Sequence, residues 1–389
     1  MQFPVTVFDG FLLTFSILLL IPFTTLFVEC LAALIPGGRS SRYVGYVRPK
    51  LAILVPAHNE AGIIQASLKT LIPQVTQQDQ LVVIADNCTD NTAELARSLG
   101  VTVIERFEPD LAHRGKGYAL DYGRQYLAQN PPEVVVTVDA DCFVAPNTIE
   151  RIAQQAYATG YPVQATYVMN PPQNASLKDS ISALAIVLKN QVRPLGLSRL
   201  GLPNLLTGSG MAFPWKTWQQ VTLATSNIVE DMKLGLDLAI AGYAPKFCAE
   251  GKVTSILPQR DKAAKNQRTR WEHGHLQTIL TEVPRLFSEA IQQRRIGLLA
   301  LALDVAVPPI SLLVMGWLVM IVGAIAYGLL TGFWLPVWIL ALQCVMLMVC
   351  VLGTWFKFER FGLSLVQLLS SPFYAFWKIP VSVSYTHLT

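Results

Sequence analysis

Hydrophobic positions along this chain fall into blocks of two kinds. Residues 11–35 are nearly continuous Leu, Ile, Phe and Val with one acid, Glu29, near the end, a run long enough to cross about 30 Å of hydrocarbon. Two comparable blocks, residues 298–330 and 333–355, lie near the other end. Between them the apolar runs are short and broken by charges, Gly and Pro, the pattern of a folded domain outside the membrane. The expected organisation is a transmembrane helix within residues 1–38, an α/β domain over 39–290, and a membrane region over 291–389 with two or three spanning or interfacial helices. Residues 361–389 are apolar but carry Pro372, Lys378 and Pro380, so a further span, a re-entrant piece and an interfacial helix all fit them. The polar ending from Ser384 to Thr389 stops abruptly, which reads as a truncated or non-native terminus.

Within the middle domain, Leu51-Ala52-Ile53-Leu54-Val55 and Leu81-Val82-Val83-Ile84-Ala85 read as buried parallel strands, ended by Pro56 and by Asp86-Asn87. Residues 61–71 place Ile63, Ile64, Leu68 and Leu71 at helical spacing. Asn91 with Glu94 predicts a capping box for a helix through Leu99. Residues 101–104 and 134–138 supply two more strands, with helix between them at 118–127. Such β-α-β alternation predicts a mostly parallel sheet with helices on both faces and ligands at the C-terminal strand ends. No GxGxxG follows the first strand, so a dinucleotide fold of that type is not indicated.

Composition agrees with the membrane reading: 52% of the 389 residues are hydrophobic and only 14% charged. A signal peptide is the rival for the first block, but no basic region precedes it and it is longer than the usual apolar core of such peptides. Arg39, Arg42, Arg48 and Lys50 follow it, Arg294 and Arg295 precede the second block, and Lys357 and Arg360 follow the third. By the positive-inside rule these clusters place the middle domain in the cytoplasm, at a plasma or inner membrane. The two glycosylation sequons at Asn87 and Asn174 would then stay unmodified. The net charge of +4 gathers beside the membrane and suits anionic lipid headgroups, not nucleic acid. Six Cys residues show no CxxC pair, which predicts neither a disulfide framework nor a zinc site.

Several polar groups stand where chemistry is expected. Asp139-Ala140-Asp141 aims two carboxylates from a strand end, a donor set suited to Mg²⁺ or Mn²⁺. Glu230-Asp231 precedes an apolar helix, where acids also serve simply as capping charges. Gln267-Arg268-Thr269-Arg270-Trp271 joins phosphate-binding guanidinium groups to an indole face on which a sugar ring stacks, although membrane anchoring fits as well. Thr207-Gly208-Ser209-Gly210 lets backbone approach a ligand closely, or makes a tight turn. Lys116, inside Gly115-Lys116-Gly117, is a cation available to phosphate.

Taken in order, PAHNE at residues 56–60, Asp86, GKG, DAD, TGSG, ED and QRTRW make the chain resemble a family-2 glycosyltransferase of the GT-A fold. It is most similar to the membrane-bound processive β-glycan synthases: cellulose, hyaluronan, chitin and poly-N-acetylglucosamine synthases. The resemblance covers about residues 50–287. It implies that Pro56, His58 and Glu60 line the nucleotide pocket and that Asp86 bonds the base, uracil in most relatives. It further implies that Asp139 faces the nucleotide sugar or metal and Asp141 ligates the metal, with Lys116, Gln267, Arg268 and Arg270 on the donor. Thr207, Gly208, Ser209, Gly210, Glu230 and Trp271 would border the acceptor, and Asp231 would be the general base. Relatives often carry two acids where this chain has Asp86-Asn87, which leaves the nucleotide preference open.

The reaction so implied is inverting, metal-dependent transfer of a hexosyl or N-acetylhexosaminyl unit from a UDP-sugar to a growing β-linked polysaccharide. The expected partners are a nucleotide-sugar donor, a polysaccharide or lipid-linked acceptor, membrane lipids, and a second copy or export protein. The alternatives are transfer of one sugar to a polyprenyl phosphate or sphingolipid, and a catalytically silent sensor of nucleotide sugars.

Overall fold

A computed structural model describes residues 7–36, 47–224, 230–258 and 261–369, with backbone alone at 261–268 and 369. In chain order its elements are α1 (Val7–Leu34), β1 (Leu51–Ala57), α2 (Ile64–Leu71), β2 (Gln80–Asp86), α3 (Thr92–Arg97), β3 (Thr102–Arg106), α4 (Lys116–Leu127), β4 (Val134–Thr137), β5 (Phe143–Val144), α5 (Thr148–Thr159) and β6 (Val163–Asn170). Then follow α6 (Leu177–Val187), a π-helical turn (Leu188–Val192), α7 (Arg193–Arg199), β7 (Met211–Pro214), α8 (Trp215–Trp218), α9 (Glu230–Ile240), β8 (Lys246–Ile256), α10 (Asp261–Gln292), α11 (Ile296–Ala306), α12 (Ile310–Thr331), α13 (Leu335–Lys357) and α14 (Leu365–Leu369).

The strands form one sheet in the order β3-β2-β1-β4-β7-β6-β8-β5. The expected parallel half is present: β3, β2, β1 and β4 all run the same way. The other half is mixed, since β7 is antiparallel to both its neighbours and β5 to β8, whereas β6 and β8 are parallel. Residues 51–55 of β1 are wholly buried because helices cover both faces. Leu51, Ile53 and Val55 pack toward Ile64, Leu68 and Leu71 of α2. Ala52 and Leu54 face Ala119, Leu120 and Leu127 of α4, the period-two alternation of a pleated strand. Gly123 lets α4 lie close on the sheet, for a β-carbon there would stand 2.6 Å from Ile84 Cδ1.

Two expectations are corrected. Asn91 makes no side-chain cap bond; the residue before it acts instead, Asp90 Oδ1 accepting from the Thr92 amide at 3.0 Å and its hydroxyl at 2.5 Å. The block at 298–330 is not one continuous helix, its spanning part being confined to α12. Pro308 and Pro309 interrupt it, as proline removes a donor and disfavours helix in the residue before it, leaving α11 as a separate short helix.

Among the described residues three helices, α1, α12 and α13, are long and apolar enough to span a membrane. Their order is fixed by polar contacts. Gln343 Nε2 donates to Ser16 O at 2.8 Å and Lys357 Nζ to Leu34 O at 2.6 Å, so α1 and α13 run parallel. Tyr327, late in α12, donates to Asp9, early in α1, at 2.9 Å, so α12 runs the other way. Arg199 of α7 joins Lys357 in capping the α1 carbonyls, with bonds to Ala32 O and Ala33 O at 3.1 and 2.7 Å. At Gly196 α7 meets the backbone of Glu29 directly, leaving no room for a side chain. The sheet domain is thereby seated on the C-terminal ends of α1 and α13. Residues 370–389, for which a further span was one expectation, lie outside the described residues.

Candidate active site

Polar groups gather where the parallel strands end, as the topology requires. His58, just past β1, donates from Nδ1 to Asp86 O at the end of β2, 2.7 Å away, which ties the two strand ends together. Glu60 follows, its amide donating to Thr92 Oγ1 at 2.8 Å. Burial first, then the charges of Asp141, Asp90 and Asp139, push the Glu60 carboxyl up to about 7. Asp86 is buried and already held. Its Oδ1 accepts from Arg106 at 2.8 Å and from Asn87 Nδ2 at 2.9 Å. Arg106, an unassigned residue at the end of β3, therefore neutralises the carboxylate expected to face the base.

The sheet brings Lys116, Asp139, Gly208 and Asp231 together from four separate chain segments. Lys116 sits at the first position of α4, entered through Gly115 at φ +125°. Its ammonium is ion-paired with Asp139 and donates to Gly208 O at 2.6 Å. Burial alone would pull its pKa down, but the charges of Asp139 and Asp231 outweigh that and keep Lys116 protonated. Gly117 donates its amide to Glu230 Oε2 at 2.9 Å, so the helix start also grips the first residue of α9.

Asp231, in the first turn of α9, has its carboxyl pushed above the usual carboxylate range by burial, opposed by Lys116. Glu230 is raised to about 7 for the same leading reason. Both stay within an apolar helix whose other face packs Leu236 and Ala239 against α10 and α11.

Thr207–Gly210 forms a turn in which Gly208 and Gly210 adopt φ of +99° and +70°, open to glycine at little cost. Ser209 Oγ accepts the Asp139 amide at 3.1 Å. Gln164, a buried polar residue of strand β6, holds the turn from beneath. A buried amide among the apolar residues that flank it, Val163 and Ala165, was the signal that could have marked it.

Asp139 lies in the loop after β4 with Asp141 and Cys142, and ligand atoms of these three residues fall within 4.8 Å of one another. The donor chemistry fits a hard cation. Burial and the neighbouring acids hold the Cys142 thiol protonated, and its sulfur donates to Asp141 at 3.5 Å. That leaves two carboxylates as ligands, the set expected for Mg²⁺ or Mn²⁺ and not for zinc. Asp141 is itself raised, by desolvation and then by the Asp139 charge, as two acids sharing one position are without a cation.

The QRTRW segment lies on α10, a helix of 32 residues. Arg270 is exposed, and Trp271 is half-buried against the core on the α2 side of the sheet. One turn on, His275 Nε2 lies 3.1 Å from Val305 O of α11. Ser311, at the start of α12, donates to Glu272 at 3.3 Å. The side chains of Gln267 and Arg268 lie outside the described residues.

A family model described as glycosyltransferase like family 2 matches residues 49–274. Probable glycosyltransferase YdaM of Bacillus subtilis is 22% identical over 276 residues, 64% of this chain and 60% of that protein. Poly-beta-1,6-N-acetyl-D-glucosamine synthase of Staphylococcus epidermidis is 22% identical over 265 residues, 65% of this chain and 60% of its own length. The chain thus spans about 60% of the length of these two relatives. Among solved structures, mannosyltransferase PcManGT from Pyrobaculum calidifontis, in complex with GDP-Man and Mn²⁺, shares the fold. Its TM-score is 0.55 at 17% identity, covering 89% of this chain and 99% of that one.

Proposed function

The chain belongs to glycosyltransferase family 2, and from that premise we propose that it transfers a sugar from a nucleoside-diphosphate donor, a UDP-sugar, to a growing β-linked polysaccharide with inversion. The observation that carries this reading is the convergence of Lys116, Asp139 and Asp231 at one end of the sheet.

Asp231 takes the proton of the acceptor hydroxyl as the glycosidic bond forms. Burial raises its pKa, which strengthens the ionised carboxylate as a base. Lys116 meets the diphosphate as it departs, and Gln267, Arg268 and Arg270 are assigned to bind it as well. Pro56, His58 and Glu60 border the nucleotide, and Asp86, fixed by Arg106, offers its remaining oxygen to the base. Asp139 and Asp141 would hold Mg²⁺ or Mn²⁺, which when bound neutralises charge on the leaving diphosphate. Residues 207–210 and Glu230 border the acceptor, and Trp271 stacks on its terminal sugar. The domain over residues 39–290 works on the cytosolic side, where nucleotide sugars are made, with a second copy or an export protein completing a path for polymer.

The contacts of the Trp271 helix with α11 and α12 favour a second reading, one sugar added to a lipid-anchored acceptor. Purified protein in lipid, given a panel of UDP-sugars and GDP-mannose with Mn²⁺, should release nucleoside diphosphate from one donor and yield a polymer. A single lipid-linked sugar would select the second reading. No release from any donor would refute both.

A further inference from the structure

We propose that Gln164 is a positioning residue for this transfer, an amide clamp that sets the 207–210 turn and through it the spacing of Asp139, Lys116 and Asp231. The proposal rests on the transferase reading but has a readout that does not need turnover.

Gln164 is 1% exposed, at a position of β6 that pairs with Met211 of β7 and Phe247 of β8. Its side chain does not bond within its own strand alone. Oε1 accepts the Thr207 amide at 2.8 Å, while Nε2 donates to Ser209 O at 2.8 Å and Ala165 O at 2.8 Å. Both edges of the turn are thus held by one group. A primary amide offers acceptor and paired donors together, and this site uses all three. Glutamate would lose both donations and set a carboxylate against two carbonyl oxygens; methionine would fill the space and bond nothing.

What the turn touches gives the clamp its consequence. Ser209 Oγ accepts the Asp139 amide, Gly208 O accepts from Lys116, and the Gly208 α-carbon faces Asp231. Gly210 connects the turn to the strands on either side, its amide donating to Thr137 O at 2.9 Å and its carbonyl accepting from Ala165 at 2.8 Å. The two glycines leave the turn with little intrinsic preference for this shape, so an external fixative is needed. Among the described residues Gln164 is the side chain that bonds both of its edges. A small loss of register here separates base from donor, and geometry of that kind has large leverage on rate.

The test uses Gln164→Met and Gln164→Glu in the full chain reconstituted in lipid. Hydrogen exchange of the peptides containing residues 139 and 207–210 should rise at least several-fold in both variants, with β1 to β3 unchanged. UDP should still bind at full stoichiometry with affinity within about threefold, which certifies folded sites, while kcat falls by about 10²-fold. Unchanged exchange at 207–210 overturns the clamp whether or not turnover is seen. Unchanged kcat in variants with loosened exchange overturns its role in the reaction. Absent turnover in the wild type, with the exchange result as expected, would instead count against the transferase reading.

Discussion

A methyl group placed on Gly208 would stand 2.8 Å from Asp231 Oδ2. The turn and the proposed base thus meet at a position that carries no side chain, and the Lys116 ammonium lies on the same side, 3.8 Å from that hypothetical methyl. Gly208→Ala should lower transfer by about 10²-fold, since both the contact and the φ of +99° resist a β-carbon. Donor affinity, measured by UDP titration, should change little. Normal turnover in the alanine variant would place the reacting groups elsewhere.

Asp231→Asn keeps the size of the side chain and removes its proton affinity, so kcat should fall by at least about 10²-fold with UDP binding retained. The sign of the pH effect follows from burial. Burial raises the folded pKa of Asp231, and only the ionised form accepts a proton. Activity should therefore fall as pH drops through a value above the ordinary carboxylate range, and this acid limb should vanish from the residual activity of Asp231→Asn. The charges of Lys116, Glu230 and Asp139, and of Lys189 in the π-helical turn, bear on that limb. A limb that survives the substitution assigns it to another group.

Removing a carboxylate from the two-acid set should weaken the cation more than the nucleotide. For Asp141→Ala, Mn²⁺ affinity read by electron paramagnetic resonance should drop at least tenfold, a difference of about 1.4 kcal/mol. Wild-type transfer that continues unchanged in excess chelator would remove the metal from the mechanism.

Arg193 joins the catalytic domain to the membrane helices. It donates to Glu29 of α1 at 2.6 Å and to Asp304 O of α11 at 2.8 Å, pairs with the Asp304 carboxylate, and all three side chains are buried. Arg193→Met leaves two buried acids without their counter-charge, which typically costs about 3–5 kcal/mol. The melting temperature in detergent should fall sharply and recover largely when Glu29→Gln and Asp304→Asn are added. Equal stability of Arg193→Met and wild type would show that the triad does not hold the two parts together.

Local sequence was sufficient for the features that depend on local sequence. The long apolar blocks announced spanning helices because a backbone in hydrocarbon must satisfy itself. The buried runs at residues 51–55, 81–85 and 134–138 announced the parallel half of the sheet, and the acids at their ends announced where its polar groups gather. What sequence could not supply was long-range pairing. The antiparallel insertion of β7, the proline break that frees α11, the burial of Glu29 against Arg193 164 positions away, and the seating of Lys116 between Asp139 and Gly208 all depend on segments far apart in the chain. No periodicity encodes such contacts. Gln164 shows the limit most plainly: in the sequence it is one polar letter of a strand, and only the folded sheet, by bringing the 207–210 turn across it, gives its amide partners at Thr207 and Ser209.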